Sequence, residues 1–393
     1  MPSPFALGNG LGSNARRAAY ASVALCAFLG CSSSGNGSNP PAANGGTSAA
    51  SGGSSGTVAT GGTTQNNNGG SGNTTGGTGN GTSGSAGAAQ GGSMSSAGAG
   101  GAATVTVANN AGKYSLTVGQ TYLEVDPANG ARITALRVGG AAGMDVVASS
   151  AVTGDPDNWG STFWPSPQSW PWPPTSAASI GAINTSPYTV TSDATSITLT
   201  SGLAAAPTVS VIKKISGDAA KEAIVIDYTM TNGGTAAVTV APWEITRVAA
   251  GGITFYGTGT GAPGPGNFPL PPAATITTGA GATWYKDNPA DLTDYKLFAD
   301  GAGGWLAHAA GDLLLVKSFP DVAAGAAATN EAEIEIYSSK TGKYVEVEQQ
   351  GAVQMLAPAA TLNWTVRWYA RKLPMPAAVG SADLVTYVQN LIK

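Results

Sequence analysis

The chain has 393 residues, of which only 10% are charged, and it carries 57 glycines, two cysteines and one histidine. Its formal net charge is −4, and that lack of positive charge argues against nucleic acid and anionic lipid as direct partners, since both need a basic patch. With His308 as the one histidine, a catalytic triad or a His-based metal centre is not expected. No EF-hand spacing or phosphate-binding loop occurs either, so no metal and no cofactor is anticipated.

The opening segment carries two charges, Arg16 and Arg17, followed by an apolar run over 18–29. A dozen residues is too short to cross a bilayer, which takes about 20. The zones are those of an export signal rather than of a fold. The run closes on Phe28-Leu29-Gly30-Cys31, directly before Ser32-Ser33-Ser34. A small residue before a cysteine in this position resembles the lipobox of bacterial lipoproteins, with Phe28 where an aliphatic residue is usual. The resemblance implies a signal peptide over 1–30, cleavage before Cys31 and a diacylglycerol on its thiol. It places the protein in the bacterial cell envelope, at the outer membrane or cell surface, touching the membrane only through the lipid. An ordinary secretory signal with an incidental cysteine is the alternative. Since Cys26 would leave with the signal, the folded part could form neither a disulfide nor a thiolate metal site.

Residues 31–102 are almost entirely Gly, Ser, Thr, Asn and Ala, and no charge falls between Arg17 and Lys113. Such a segment buries too little apolar surface to offset its ordering entropy and is expected to be a disordered tether. As a Gly/Ser chain it would have a mean end-to-end distance of about 45 Å. Removing Arg16 and Arg17 leaves 16 basic against 22 acidic residues for the remainder.

Residues 103–393 read as one all-β domain. Ile224, Ile226, Tyr228 and Met230 alternate with Val225, Asp227 and Thr229; Leu362, Trp364, Val366 and Trp368 alternate with Asn363, Thr365 and Arg367. Period-two alternation of this kind marks half-buried strands. The same reading puts Glu331, Glu333 and Glu335 on one face of a strand. Thr-rich runs at 188–191 and 196–200 add further strands, and turn signals at 126–130, 232–234 and 341–342 separate them. The Gly/Pro-rich stretch 257–272 reads as a long surface loop. At the C-terminus, Ser381 as N-cap, Asp383 in the first turn, and Leu384, Val388 and Leu391 at helical spacing predict a closing helix.

Four of the nine tryptophans, Trp159, Trp164, Trp170 and Trp172, fall within 155–174. The prolines there argue against helix and central strand, so the rings are expected on an extended loop. They could stack on the faces of pyranose rings or fill an open end of the core. Following a strand that ends at Val240, alternation places Trp243, Ile245 and Arg247 on one side and Glu244 and Thr246 on the other. Tyr344, Glu346 and Glu348 share a face continued by Gln350. Two carboxylates so close would raise a pKa, as acid–base chemistry requires, although a solvated acidic edge fits the pattern equally well. Lys317, inside the apolar run 313–319, either enters a site or snorkels.

The segments Asn158-Trp159-Gly160-Ser161-Thr162-Phe163-Trp164-Pro165-Ser166-Pro167-Gln168 and Trp243-Glu244-Ile245-Thr246-Arg247-Val248, with 344–351 and Leu356-Ala357-Pro358, resemble a bacterial domain of unknown function, DUF4380. That domain is similar to the galactose mutarotase-like (aldose 1-epimerase) supersandwich, and the resemblance covers about 115–374. It implies a galactose mutarotase-like antiparallel β-supersandwich and a carbohydrate, mono- or oligosaccharide, as partner. Glu348 would map to the catalytic base. The family's histidines are missing, so general acid duty would fall to Arg247 or Lys317, both poor donors at neutral pH. The expected carbohydrate-binding residues are Trp159, Trp164, Gln168, Trp243, Arg247, Lys317, Glu346 and Gln350. A surface-anchored carbohydrate-binding lipoprotein is therefore the leading expectation. A sugar epimerase with Glu348 as base and a ligand-free structural envelope module are the alternatives.

Overall fold

The computed structural model describes residues 103–393; the predicted signal peptide, Cys31 and the tether lie outside the described residues. Among the described residues the strands form two antiparallel sheets, one of twelve strands and one of ten. The alternation read from sequence is what joins them. Strand Ala223–Asn232 pairs with Thr361–Lys372 in a register that sets Ile224 against Trp368, Ile226 against Val366, Tyr228 against Trp364 and Met230 against Leu362. All eight side chains are buried in the main core. Removing an aliphatic or aromatic side chain from water is worth about 1.5–3 kcal/mol each. A one-residue slip would turn this whole set to solvent, so the register is strongly specified.

The layer between the sheets also holds a polar cluster. Glu244 accepts hydrogen bonds at one oxygen from Lys317 Nζ at 3.0 Å, Trp368 Nε1 at 2.9 Å and Gln349 Nε2 at 2.5 Å. Its other oxygen accepts from the Tyr228 hydroxyl at 2.5 Å. Lys317 also donates to Thr246 Oγ1 at 2.5 Å and Gln349 Oε1 at 3.1 Å. Glu244 and Lys317 are both fully buried, and burial without this complete set of partners would be strongly unfavourable.

Two expectations are corrected. Ser161–Ser166 is a strand, not part of an extended loop, so Trp164 stands in the sheet. Its Pro165 pairs with Pro242 of Val238–Ala249, which itself runs through Pro242 instead of ending at Val240. Proline is tolerated because Ser161–Ser166 meets its other neighbour at Ser161 alone, leaving most of one side free of ladder bonds. The second correction concerns the 331–335 carboxylates. The strand begins at Ile334, so Glu335 is a strand residue while Glu331 and Glu333 belong to the preceding loop.

The C-terminal helix spans Ala382–Ile392 and is capped as expected, with Ser381 Oγ accepting from the Leu384 N–H at 3.2 Å. Leu384, Val385 and Val388 pack into a second cluster with Phe255, Trp284 and Trp305. The helix thereby covers the face of the ten-stranded sheet that points away from its partner sheet. The stretch after Thr258 is a surface loop interrupted by the two-residue strand Gly264–Pro265.

Candidate functional site

Five neighbouring strands of the twelve-stranded sheet build the site, in the order Ser161–Ser166, Val238–Ala249, Tyr344–Gln350, Ile334–Ser338 and Tyr295–Ala299. Glu244 and Thr246 face the ten-stranded sheet, so period two turns Trp243, Ile245 and Arg247 the other way. Pairing then lines up rows across the strands on that outer face. One runs Thr162, Ile245, Glu348, Glu335, Phe298; the next runs Arg247, Glu346, Tyr337, Lys296. Trp164, Trp243 and Gln350 form a third.

Lys296 is the hub. Its ammonium meets Glu348 at 2.5 Å and Glu335 at 2.9 Å. Trp243 Nε1 donates to the second oxygen of Glu348 at 2.9 Å. Gln350 Nε2 donates to Glu335 at 2.7 Å and to Glu331 at 2.9 Å. Burial pushes Glu335 well above the ordinary carboxylate range, with Lys296 opposing and Glu348 reinforcing. Burial likewise raises Glu348 to about 7 against the pull of Lys296. Burial also works against the Lys296 charge, but Glu335, Glu348 and Glu346 outweigh it and hold the ammonium above its usual value. One ammonium faces two desolvated carboxylates, so burial and their mutual repulsion raise both acids while their charge favours the lysine's ammonium form.

A cavity of about 250 Å³ opens beside this trio. The sheet supplies Lys296, Phe298 and Glu335 to its wall, and loops supply Gln168, Asn267 and Glu331. The long loop after Thr258 therefore reaches the site through Asn267. Gln168 is held by its own N–H, which donates to Glu331 at 2.8 Å. Carboxylate acceptors, an ammonium, amide groups and one aromatic ring can together bind a small ligand rich in hydroxyls. A second cavity of about 360 Å³ adjoins it, sharing Thr329 and Glu331.

The residues singled out from sequence fall into three places. Gln168 lines the cavity, and Glu348 and Gln350 stand behind it through Lys296, Glu335 and Glu331. Glu348 is fully buried with both oxygens engaged. Trp164, Trp243, Arg247 and Glu346 share the face but are packed. Arg247 is held by Glu346 at 2.8 Å and by Thr162 and Asn158, with its guanidinium 5.7 Å from the Trp164 ring centre. Trp164 donates to Asn184 Oδ1 at 2.8 Å. Trp159 is half-buried, its ring under the Arg132 guanidinium at 4.8 Å and its Nε1 bonded to the Pro156 carbonyl. Lys317 is not on this face at all, because it points between the sheets to Glu244. His308 is buried with Nδ1 against Thr254 Oγ1, and burial lowers it to about 4.

Lys296, Phe298, Asn267 and the role of Glu335 went unread in the sequence. The available signal was one lysine set among apolar residues in Tyr295-Lys296-Leu297-Phe298, the same cue that drew attention to Lys317.

No family model and no curated protein sequence matches the chain. Among solved structures, a TPR-domain containing protein from Parabacteroides distasonis is similar at 11% identity and TM-score 0.45, covering 67% of this chain. This chain spans 48% of the length of that protein. A galactose mutarotase-like protein from Lactobacillus casei is similar at 12% identity and TM-score 0.43, covering 68% of this chain and 100% of that one. Galactose 1-epimerase from Lactobacillus acidophilus is similar at 10% identity and TM-score 0.40, covering 69% of this chain and 98% of that one. Each of these likenesses is at 12% identity or less and at a TM-score of 0.45 or less.

Proposed function

We propose that the protein is a carbohydrate-binding protein of the bacterial envelope, lipid-anchored at Cys31, that takes a monosaccharide-sized ligand in the cavity beside Lys296. The observation that carries this reading is a polar cavity of about 250 Å³ with two carboxylates, an ammonium and one aromatic ring in its wall. Sugars need acceptors and donors at fixed places and an apolar surface for the C–H face of the ring. The DUF4380-like segment 158–168 supports the same reading, since its last residues, Pro167 and Gln168, line the cavity.

Titration calorimetry of the full chain with a monosaccharide panel tests it. Saturable heat is expected for at least one hexose or N-acetylhexosamine, and Glu335→Gln is expected to weaken it about tenfold or more by altering a cavity-wall acceptor. No heat with any member of the panel would remove this reading.

A second reading is favoured by one observation: Glu335, whose carboxyl burial pushes well above its usual range, stands in the cavity wall. A carboxyl raised in this way suits general acid–base work on an aldose. Glu348 is worse placed for that role than sequence suggested, because it has no exposed surface. Polarimetry decides: an anomerisation rate no faster than in buffer would leave binding alone.

A further inference from the structure

Of the nine tryptophans, seven are buried and Trp159 is half-buried, but Trp172 is 68% exposed. It is not a loose side chain. Its ring lies over Trp170, with centroids 6.3 Å apart and planes within 12°. Trp170 is buried, donates its Nε1 to the Pro165 carbonyl at 2.9 Å, and packs edge-on to Trp164 at 5.5 Å. Trp164 packs edge-on to Trp243 at 5.4 Å, and Trp243 is bonded to Glu348. Four indoles therefore run from the Lys296 trio out to solvent, with the outermost ring backed by the others. Pro171, Pro173 and Pro174 flank Trp172 and restrict its backbone. An exposed indole fixed in this way presents a flat apolar face whose ordering cost is met before any ligand arrives.

The same chain segment lines the cavity: Pro167, Gln168 and Ser169 are wall residues, and Trp172 lies three residues beyond Ser169. Three residues of chain reach at most about 10 Å. A span of that size is within the length of a short glycan of a few linked pyranose units.

We infer that Trp172 is a stacking platform for a second pyranose ring, so that the ligand class is an oligosaccharide or polysaccharide chain with one unit in the cavity and a neighbour on the indole. The inference rests on the carbohydrate reading of the cavity and extends it from a single sugar to a chain. A flat indole face three residues along the chain from a wall of carboxylate and amide groups suits a ligand that offers both C–H faces and hydroxyls. Stacked C–H bonds from a pyranose use both surfaces at once.

The test uses the full-length protein and three matched pairs of probes: glucose and cellohexaose, galactose and β-1,4-galactohexaose, N-acetylglucosamine and chitohexaose. For at least one pair the hexasaccharide is expected to bind about tenfold tighter than its monosaccharide. It should also shield an exposed indole from acrylamide quenching. Trp172→Ala should abolish both the gain and the shielding while leaving monosaccharide affinity unchanged, and Trp172→Phe should keep part of the gain. Because Trp172 is on the surface, an unchanged melting temperature is expected for both variants. Equal affinity for monosaccharide and hexasaccharide would overturn the platform while leaving the cavity reading intact, as would a gain that survives Trp172→Ala. A concentration-dependent dimer abolished by Trp172→Ala would assign the ring to a second copy of the chain and overturn it too. Hexasaccharide binding that needs Trp172 but is indifferent to Glu335→Gln would support the platform and sink the cavity. Silence of the wild type toward all six probes would overturn both.

Discussion

Lys296 holds two buried carboxylates, and the consequences of removing it follow from that geometry. In Lys296→Met, Glu335 and Glu348 would face each other across the site without a cation. Breaking a buried pair in this way costs about 3–5 kcal/mol. Combining it with Glu348→Gln removes one of the stranded charges and should restore part of the loss. Chemical denaturation of the two variants checks this; a double variant no more stable than the single one would contradict the shared-ammonium arrangement. The pairing was not legible in sequence, since Lys296 and Glu348 are separated by 52 positions and only strand register joins them. The face shared by Trp243 and Arg247, and that shared by Glu346, Glu348 and Gln350, were legible, because alternation within one strand needs no long-range information. What alternation does not say is which face looks outward. Lys317 illustrates the difference: like Lys296 it is a lysine in an apolar strand, yet it points between the sheets.

Among the elements, those with a clean two-sided pattern were readable and those whose pattern depends on neighbours were not. Ala223–Asn232 and Thr361–Lys372 each bury one face, so their period is visible in the residues themselves. Ser161–Ser166 contains a proline and buries every residue; its strand character comes from pairing with Val238–Ala249, where Pro165 meets Pro242. The C-terminal helix was legible from its cap and spacing, and its contribution can be measured. Ser381→Ala should cost about 1 kcal/mol through the lost bond to the Leu384 N–H. Leu384→Ala should cost about 2–5 kcal/mol by opening a cavity beneath the helix. If urea unfolding of Leu384→Ala matches the wild type, the helix is not part of the cooperative unit.

For the whole molecule, the proposal joins an envelope location to a binding domain. The proposed anchor makes its own prediction for the chain expressed in a bacterium. The wild type should incorporate labelled palmitate and fractionate with membranes, while Cys31→Ser should lose the label and the membrane association. A labelled Cys31→Ser protein would contradict the lipobox reading. The domain itself relies on packing, with a core that spans both sheets and no cysteine among residues 103–393. On the outer face of the twelve-stranded sheet Trp164, Trp243 and Arg247 are packed under cover. The cavity between Gln168, Lys296, Glu331 and Glu335 is where that cover opens. A crystal structure of the protein soaked with the tightest-binding monosaccharide tests this most directly. The account predicts the sugar in that cavity, with hydroxyls within hydrogen-bonding distance of Glu335 and Gln168. A sugar bound instead against Trp159 and Arg132, with the cavity holding only water, would contradict it.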